Sequence, residues 1–207
     1  MQHYDMSRVR AAQEEDMLDM GSAWHWARQL QEQVLHPGAV AVDATMGGGG
    51  DTEALCELVG ESGRVYAFDI QPDAVERTRA RLEEKGLLSR AKLMCASHER
   101  MGELVPERVD AVLFNLGWLP GGDKSVTTLL DSTLKAVNAA LKLLRRGGLM
   151  TICAYPGHDE GARELEALLE WAAALDGRVF QVMVRRYLNQ PANTPVMIAV
   201  ERMKETE

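Results

Sequence analysis

Between residues 39 and 201 the chain alternates short, solid apolar runs with longer stretches whose apolar positions recur every three or four residues. A solid run is satisfied only in a strand covered on both faces, and an amphipathic helix has one stripe to bury. Repeated strand–helix alternation therefore predicts a mostly parallel sheet with helices on both faces. The runs 39–42, 65–68 (closing at Asp69), 91–96, 109–115 and 149–155 predict five strands. Helices are predicted over 22–35, from about Thr52 to Val59, from Pro72 to about Glu84, through Val126, Leu130, Leu134, Val137, Leu141 and Leu144, and from Glu160 to Leu175. Pro72 suits a first helical turn, Gly86 a C-terminal stop, and Gly147-Gly148 the end of the long helix. Two last runs, 179–188 and 196–201, are separated by the seven residues 189–195, too few for a parallel crossover, so they pair antiparallel. The fold class is thus α/β and Rossmann-like: a seven-stranded sheet with a C-terminal antiparallel hairpin.

At 207 residues this outline fills one domain, 1–207, with residues 1–20 as a polar, flexible N-terminal segment. The three cysteines, Cys56, Cys95 and Cys153, are scattered, form no C-x-x-C pair and lie in apolar stretches. They are expected to be small core residues in a reducing compartment, with no disulfide framework and no metal site. No stretch approaches the roughly 18 apolar residues of a membrane span. Asp5, Glu14, Glu15 and Asp16 are wrong for a signal peptide, so a cytoplasmic protein is expected. The net charge of −8 opposes broad nucleic-acid binding, leaving local basic pairs such as Arg8 with Arg10, Arg145-Arg146 and Arg185-Arg186.

The segment Val42-Asp43-Ala44-Thr45-Met46-Gly47-Gly48-Gly49-Gly50-Asp51-Thr52 lies between a predicted strand and a predicted helix. Open α/β sheets bind ligands at the carboxyl ends of their strands, and glycines there allow a sharp turn and close backbone approach. A dinucleotide fingerprint needs G-x-G-x-x-G/A, but Thr52 holds the third small position and Asp43 would repel a diphosphate. An ammonium and a sulfonium, as in S-adenosylmethionine, would be attracted instead. Asp69 ends the second strand, where a carboxylate can accept both ribose hydroxyls of a nucleoside or serve as a helix N-terminal charge. Ser97-His98 falls where an adenine would lie, and His98 reads equally as a surface histidine. His25, on the first helix, could cover the same cofactor.

Asn115-Leu116-Gly117-Trp118 follows the fourth strand, at the place where amine-directed methyltransferases carry an Asn/Asp-Pro-Pro-Tyr/Phe tetrapeptide. Asn115 could offer a side-chain oxygen and Leu116 a backbone carbonyl to the two hydrogens of an amine, with Trp118 stacking on the attached base. Alternatively Asn115 is a strand-end cap and Trp118 a core or lid aromatic. Asp123, in Pro120-Gly121-Gly122-Asp123-Lys124-Ser125, is either the N-cap of the long helix or a catalytic contact. Tyr155 and His158 end the fifth strand on the same edge, where His158 could titrate near neutrality or be a loop histidine.

Taken together, Asp43-Ala44-Thr45-Met46-Gly47 with Gly49 and Asp51-Thr52, Phe68-Asp69-Ile70-Gln71, Phe114-Asn115-Leu116-Gly117, Leu119-Pro120-Gly121-Gly122-Asp123-Lys124 and Tyr155-x-Gly157-His158 resemble the MnmM/YtqB family of class I methyltransferases. The likeness runs from about residue 22 to 202. It implies S-adenosylmethionine as cofactor, a tRNA anticodon stem-loop as partner, and methylation of the aminomethyl group on the wobble uridine, giving 5-methylaminomethyl-2-thiouridine. It implies a cofactor pocket of Asp43, Gly47, Gly49, Asp51, Thr52, Asp69, Gln71 and Asn115, to which Thr45, Ile70, Ser97 and His98 are added by their positions beside it. Leu116, Trp118, Asp123, Tyr155 and His158 would meet the substrate, with Asn115, Asp123 and His158 catalytic. The chain departs from the family at Gly48 and Gly50, where polar residues are usual, at Trp118 for Tyr, and at Pro156 for His. An rRNA or small-molecule methyltransferase, an NAD-dependent oxidoreductase and a non-catalytic RNA-binding module are the rival readings, and a homodimer stays open.

Overall fold

The seven apolar runs become the seven strands of one sheet. A computed structural model describes residues 20–117 and 128–205. The strands are β1 (Val40–Asp43), β2 (Arg64–Asp69), β3 (Ala91–Cys95), β4 (Val109–Asn115), β5 (Leu144–Ala154), β6 (Phe180–Arg185) and β7 (Val196–Arg202). Their order is β3-β2-β1-β4-β5-β7-β6. All pairings from β3 to β5 are parallel, while β7 runs antiparallel to both β5 and β6. This is the predicted class I methyltransferase outline.

The helices are α1 (Ala23–Val34), α2 (Gly50–Val59), α3 (Pro72–Glu84), a short α4 (Met101–Leu104), α5 (Leu130–Leu143) and α6 (Asp159–Ala173). Alternation along the strands sorts them onto two faces. Val40, Val42, Phe68, Val112 and Phe114 pack with Ala136, Val137 and Ala140 of α5 and Leu168 of α6. Ala41, Val65, Ala111 and Leu113 point the other way, onto Leu55, Cys56 and Val59 of α2 and Leu82 of α3. On that second face α1 covers β5 and β7 through Ala23, Trp26 and Ala27 against Cys153 and Met197. A buried hydrogen bond of 2.9 Å from Gln31 Nε2 to Thr151 Oγ1 fixes its register. Ser22 and His25 form a reciprocal capping box at its start.

The structure departs from three local expectations. Gly147-Gly148 does not end the long helix; α5 stops at Leu143 and both glycines lie within β5. There the register passes from Val109 opposite Leu144 to Ala111 opposite Leu149, so Asp110 faces a bulge that Gly147 enters with φ +76°. Asp110 accepts from the Val40 N–H at 2.7 Å and from the Arg145 guanidinium at 2.9 Å, which ties the bulge to β1. The N-cap of α5 is Leu129, so Asp123 does not cap it; Val126 and Asp123 themselves lie outside the described residues. Cys56 and Cys153 are buried as expected, but Cys95 is exposed because β3 is an edge strand.

Candidate active site

Both β2 and β4 pair with β1, so the strand order reverses at β1 and a crevice opens at the carboxyl ends. A cavity of about 1000 Å³ occupies it. Of the residues singled out from sequence, Thr45, Gly47, Asp51, Asp69, Ile70, Gln71, Ser97, His98, Asn115, Leu116, Tyr155 and His158 line this one cavity. Asp43, Gly49 and Thr52 lie buried behind its wall. Trp118 and Asp123 fall outside the described residues. Trp24 and Arg28 of α1 also line the cavity and were not foreseen as site residues. Their i, i+4 spacing on a helix with apolar positions elsewhere is the signal that could have found them.

The glycines of the β1–α2 turn divide the work. Gly47 and Gly49 take φ +51° and +81°, which favours glycine. A Cβ on Gly49 would stand 2.8 Å from Thr78 Oγ1 and 3.0 Å from Thr78 Cα, so its bareness lets α3 pack beneath the turn. Gly48 and Gly50 line the cavity, and a Cβ on either would meet nothing within 4 Å. They leave room for a ligand to approach the backbone.

The three aspartates differ in what they face. Asp43 is fully buried, accepting from the Thr45 N–H at 3.1 Å and the Thr52 hydroxyl at 2.6 Å. Burial, reinforced by the Asp51 charge, pushes its carboxyl up to about 7 despite those bonds. Asp69 accepts from the Gly47 N–H at 3.0 Å and the Gln71 N–H at 2.9 Å, one on each oxygen. Each oxygen keeps a lone pair for a ribose hydroxyl. Asp51 accepts from the Trp24 indole N–H at 2.6 Å on Oδ1 and from the Asn115 amide at 2.6 Å on Oδ2.

His98 is no surface histidine. It opens a short 3-10 turn capped by Ser97 and stands edge-on to Phe114 with ring centroids 6.0 Å apart. Burial holds its imidazole below the ordinary histidine range, against the raising effect of a hydrogen bond to the Ala44 backbone. Its Nε2 is buried with no hydrogen-bond partner among the described residues. A neutral ring with its proton on Nδ1 would present the Nε2 lone pair to the cavity.

At the end of β4, the Asn115 N–H is held by Thr45 Oγ1 at 2.8 Å, and its side-chain Oδ1 is buried without a partner among the described residues. The Leu116 N–H donates to the Cys153 carbonyl at 2.9 Å. Gly117 and Thr128, which flank residues 118–127, are joined twice, from the Gly117 N–H to Thr128 Oγ1 (3.0 Å) and from the Thr128 N–H to the Gly117 carbonyl (3.2 Å). Thr128 in turn donates to the buried Glu164 at 2.9 Å. Tyr155 keeps its proton, since burial pushes its hydroxyl up to about 12. His158 is the N-cap of α6, where Nδ1 accepts from the Gly161 N–H at 3.1 Å. While that cap stands, the neutral ring carries its proton on Nε2 and acts as a donor rather than a base. His25 stays in its capping box, and Trp24, its neighbour, faces the cavity instead. Among the described residues no group of three or more His, Cys, Asp or Glu is placed to hold a metal ion, and no helix is long and apolar enough to cross a membrane.

Residues 65–201 match the family described as "Putative rRNA methylase". The chain belongs to this family. Solved structures share this build. A Clostridium thermocellum protein described as a putative rRNA methylase is 36% identical, with a TM-score of 0.87 over 89% of this chain and all of its own. A Streptococcus mutans protein described as a putative methyltransferase, in complex with SAH, is 33% identical, with a TM-score of 0.81 over 88% of this chain and 99% of that one. The Arabidopsis thaliana chloroplastic tRNA (mnm(5)s(2)U34)-methyltransferase is 41% identical over 182 residues, 83% of this chain. The aligned part spans 66% of the Arabidopsis protein's length.

Proposed function

We propose that this rRNA methylase family member is an S-adenosylmethionine-dependent methyltransferase. It methylates the exocyclic amine of 5-aminomethyl-2-thiouridine at the tRNA wobble position, in the cytoplasm. The observation that carries the reading is Asn115: at the switch point of the sheet, its amide nitrogen is committed to Asp51 and its Oδ1 is a buried acceptor with no donor among the described residues. An unmet buried acceptor is costly unless a ligand's donor fills it. A primary amine brings such a donor together with a lone pair. The Arabidopsis relative's name supports the same substrate.

The residues fit the cofactor on the same grounds. Asp69 offers lone pairs to vicinal hydroxyls, His98 Nε2 an acceptor for an amino group, and Gly48 and Gly50 unobstructed backbone. When bound, S-adenosylmethionine supplies a methyl group on a positively charged sulfur and departs as S-adenosylhomocysteine. The chain's own residues then position the acceptor. Asn115 Oδ1 and the Leu116 carbonyl take the two amine hydrogens and leave the lone pair aimed at the methyl carbon. Alignment of this kind supplies much of the rate, with reacting atoms about 3–3.5 Å apart. The amine has to arrive neutral; the apolar wall and a neighbouring cationic sulfur both favour loss of its proton.

A local basic pair can meet RNA on a chain that is acidic overall; Arg185, whose guanidinium lies 4.4 Å over the Trp26 ring, and Arg186 form one. Arg185 pairs with Met197, which pairs with Cys153 beside Asn115, so Arg185-Arg186 sits at the carboxyl edge with the cavity. Arg145-Arg146 starts β5 at the opposite edge, and Arg145 is spent on Asp110. The deciding experiment is methyl transfer from labelled S-adenosylmethionine to tRNA bearing 5-aminomethyl-2-thiouridine, beside the same tRNA with plain uridine and ribosomal RNA. Label only in the amine-bearing tRNA is expected. Equal labelling of both tRNAs, or labelling of ribosomal RNA alone, would overturn the substrate.

A further inference from the structure

We propose that Asp51, held by Trp24, is a positioning residue that sets the orientation of the Asn115 amide. This rests on the methyl-transfer reading above and adds to it the device that decides which face Asn115 shows the substrate.

An asparagine side chain has two ends of nearly equal shape and opposite hydrogen-bonding sense. Only its oxygen can take an amine hydrogen. Nothing in Asn115 itself, at the end of β4, selects that end. The selection comes from Asp51, in the first turn of α2, whose Oδ2 lies 2.6 Å from Asn115 Nδ2. A carboxylate accepts and never donates, so the NH2 end must face it. Turning the amide over would set Oδ1 against a carboxylate oxygen at that distance. The oxygen end is thereby directed away from Asp51, and it is this atom that lies buried with no partner among the described residues.

Asp51 is itself held. Its other oxygen takes the Trp24 indole N–H at 2.6 Å, across 27 residues of sequence. An indole nitrogen is a donor only, so Trp24 cannot compete for Asn115; it can only fix the carboxylate. The backbone of Asn115 is pinned separately, by Thr45 Oγ1 at 2.8 Å. Trp24 from α1 and Asn115 from the end of β4 therefore both donate into Asp51 of α2, one to each carboxylate oxygen. Each link has one permitted sense. The docking of α1 onto β5 and β7 uses Trp26, Ala27 and Gln31, on another face of the helix.

The test is a double-mutant cycle on single-turnover methyl transfer to tRNA bearing 5-aminomethyl-2-thiouridine, with SAH affinity measured on every variant. Asp51→Asn can present either a donor or an acceptor to Asn115, so it frees the amide to turn. It is expected to slow the wild-type background roughly 10- to 100-fold, the scale of a misplaced reacting group. In an Asn115→Ala background the same substitution is expected to change the rate by less than about twofold, because there is no amide left to orient. SAH affinity should fall by much less than the rate in every variant, and Trp24→Phe should give a smaller loss of rate with the same dependence on Asn115. Equal losses from Asp51→Asn in both backgrounds, or a loss of SAH affinity that matches the loss of rate, would overturn the proposal. If wild-type protein binds SAH but does not methylate this tRNA, it is the substrate reading that falls. If wild type turns over and Asp51→Asn does too at the same rate, only the positioning role falls. Trp24→Phe keeps the test decisive should Asp51→Asn not fold.

Discussion

Asp69 and His98 show how single side chains acquire their tasks from backbone partners. The Asp69 carboxylate already holds two N–H groups, from Gly47 and Gln71, so it is fixed in place before any ligand arrives. Asp69→Ala removes a charged acceptor and also unpins the glycine turn, and SAH binding measured by calorimetry should weaken by roughly 1.5–3 kcal/mol. His98 acts through a lone pair, so its protonation should weaken binding. Burial lowers its pKa from the ordinary 6.5, so SAH affinity should hold from pH 8 down to that value and fall only below it. His98→Ala should remove this acid-side loss; an unchanged profile in that variant would take His98 out of the cofactor site. Asn115→Ala should keep the fold and most SAH affinity yet lose most turnover, with the loss in the chemical step rather than in substrate binding.

At the level of elements, the β1–α2 turn separates conformational from spatial demand. Gly49 has φ +81° and Thr78 within 3.0 Å of a would-be Cβ, so Gly49→Ala meets both strain and collision. It should cost about 1–3 kcal/mol of stability in urea unfolding. Gly48 has neither problem, and Gly48→Ala should leave stability nearly unchanged while its methyl enters the cavity and weakens SAH. The two substitutions are chemically identical and one residue apart, so opposite outcomes isolate the turn geometry. The bulge in β5 has the same logic. A Cβ on Gly148 would lie 2.9 Å from the Arg145 carbonyl, which is why the glycine pair that looks like a helix stop serves a strand.

For the whole molecule, the buried Asp43 links folding to pH. Its folded pKa of about 7 exceeds the ordinary 3.8, so the folded state keeps a proton that the unfolded state gives up between those values. Its contribution to stability is complete below pH 3.8 and is lost as pH rises through about 7. Relative to Asp43→Asn, the melting temperature of the ligand-free wild type should therefore drop by about 5–10 °C between pH 5 and 8. Parallel curves for the two proteins would show that Asp43 is ionised throughout. The asymmetric placement of arginines makes a second prediction. Alanine at both Arg185 and Arg186 should weaken tRNA binding and flatten its salt dependence by roughly one unit of slope for each phosphate no longer neutralised. Alanine at Arg146, on the far edge, should do neither.

The order of strands and helices, the antiparallel closing pair, and the placement of Asp69 and Asn115 at strand ends were all legible in the residues alone. Each depends on the length of an apolar run and the residue that interrupts it, which are local properties of a chain. Other features have no local signature. Asp43 and Asp51 flank the same glycines in sequence, yet one is sealed behind the turn and the other faces the cavity, because α2 folds back over the first and presents the second. Trp24 reaches Asp51 only because α1 docks on β5 and β7. Cys95 is exposed although its neighbours are apolar, because β3 has no strand beyond it. In each case the partner comes from a distant part of the chain. Hydrogen-bond sense and burial are set by what packs alongside, and periodicity within a segment carries no record of that.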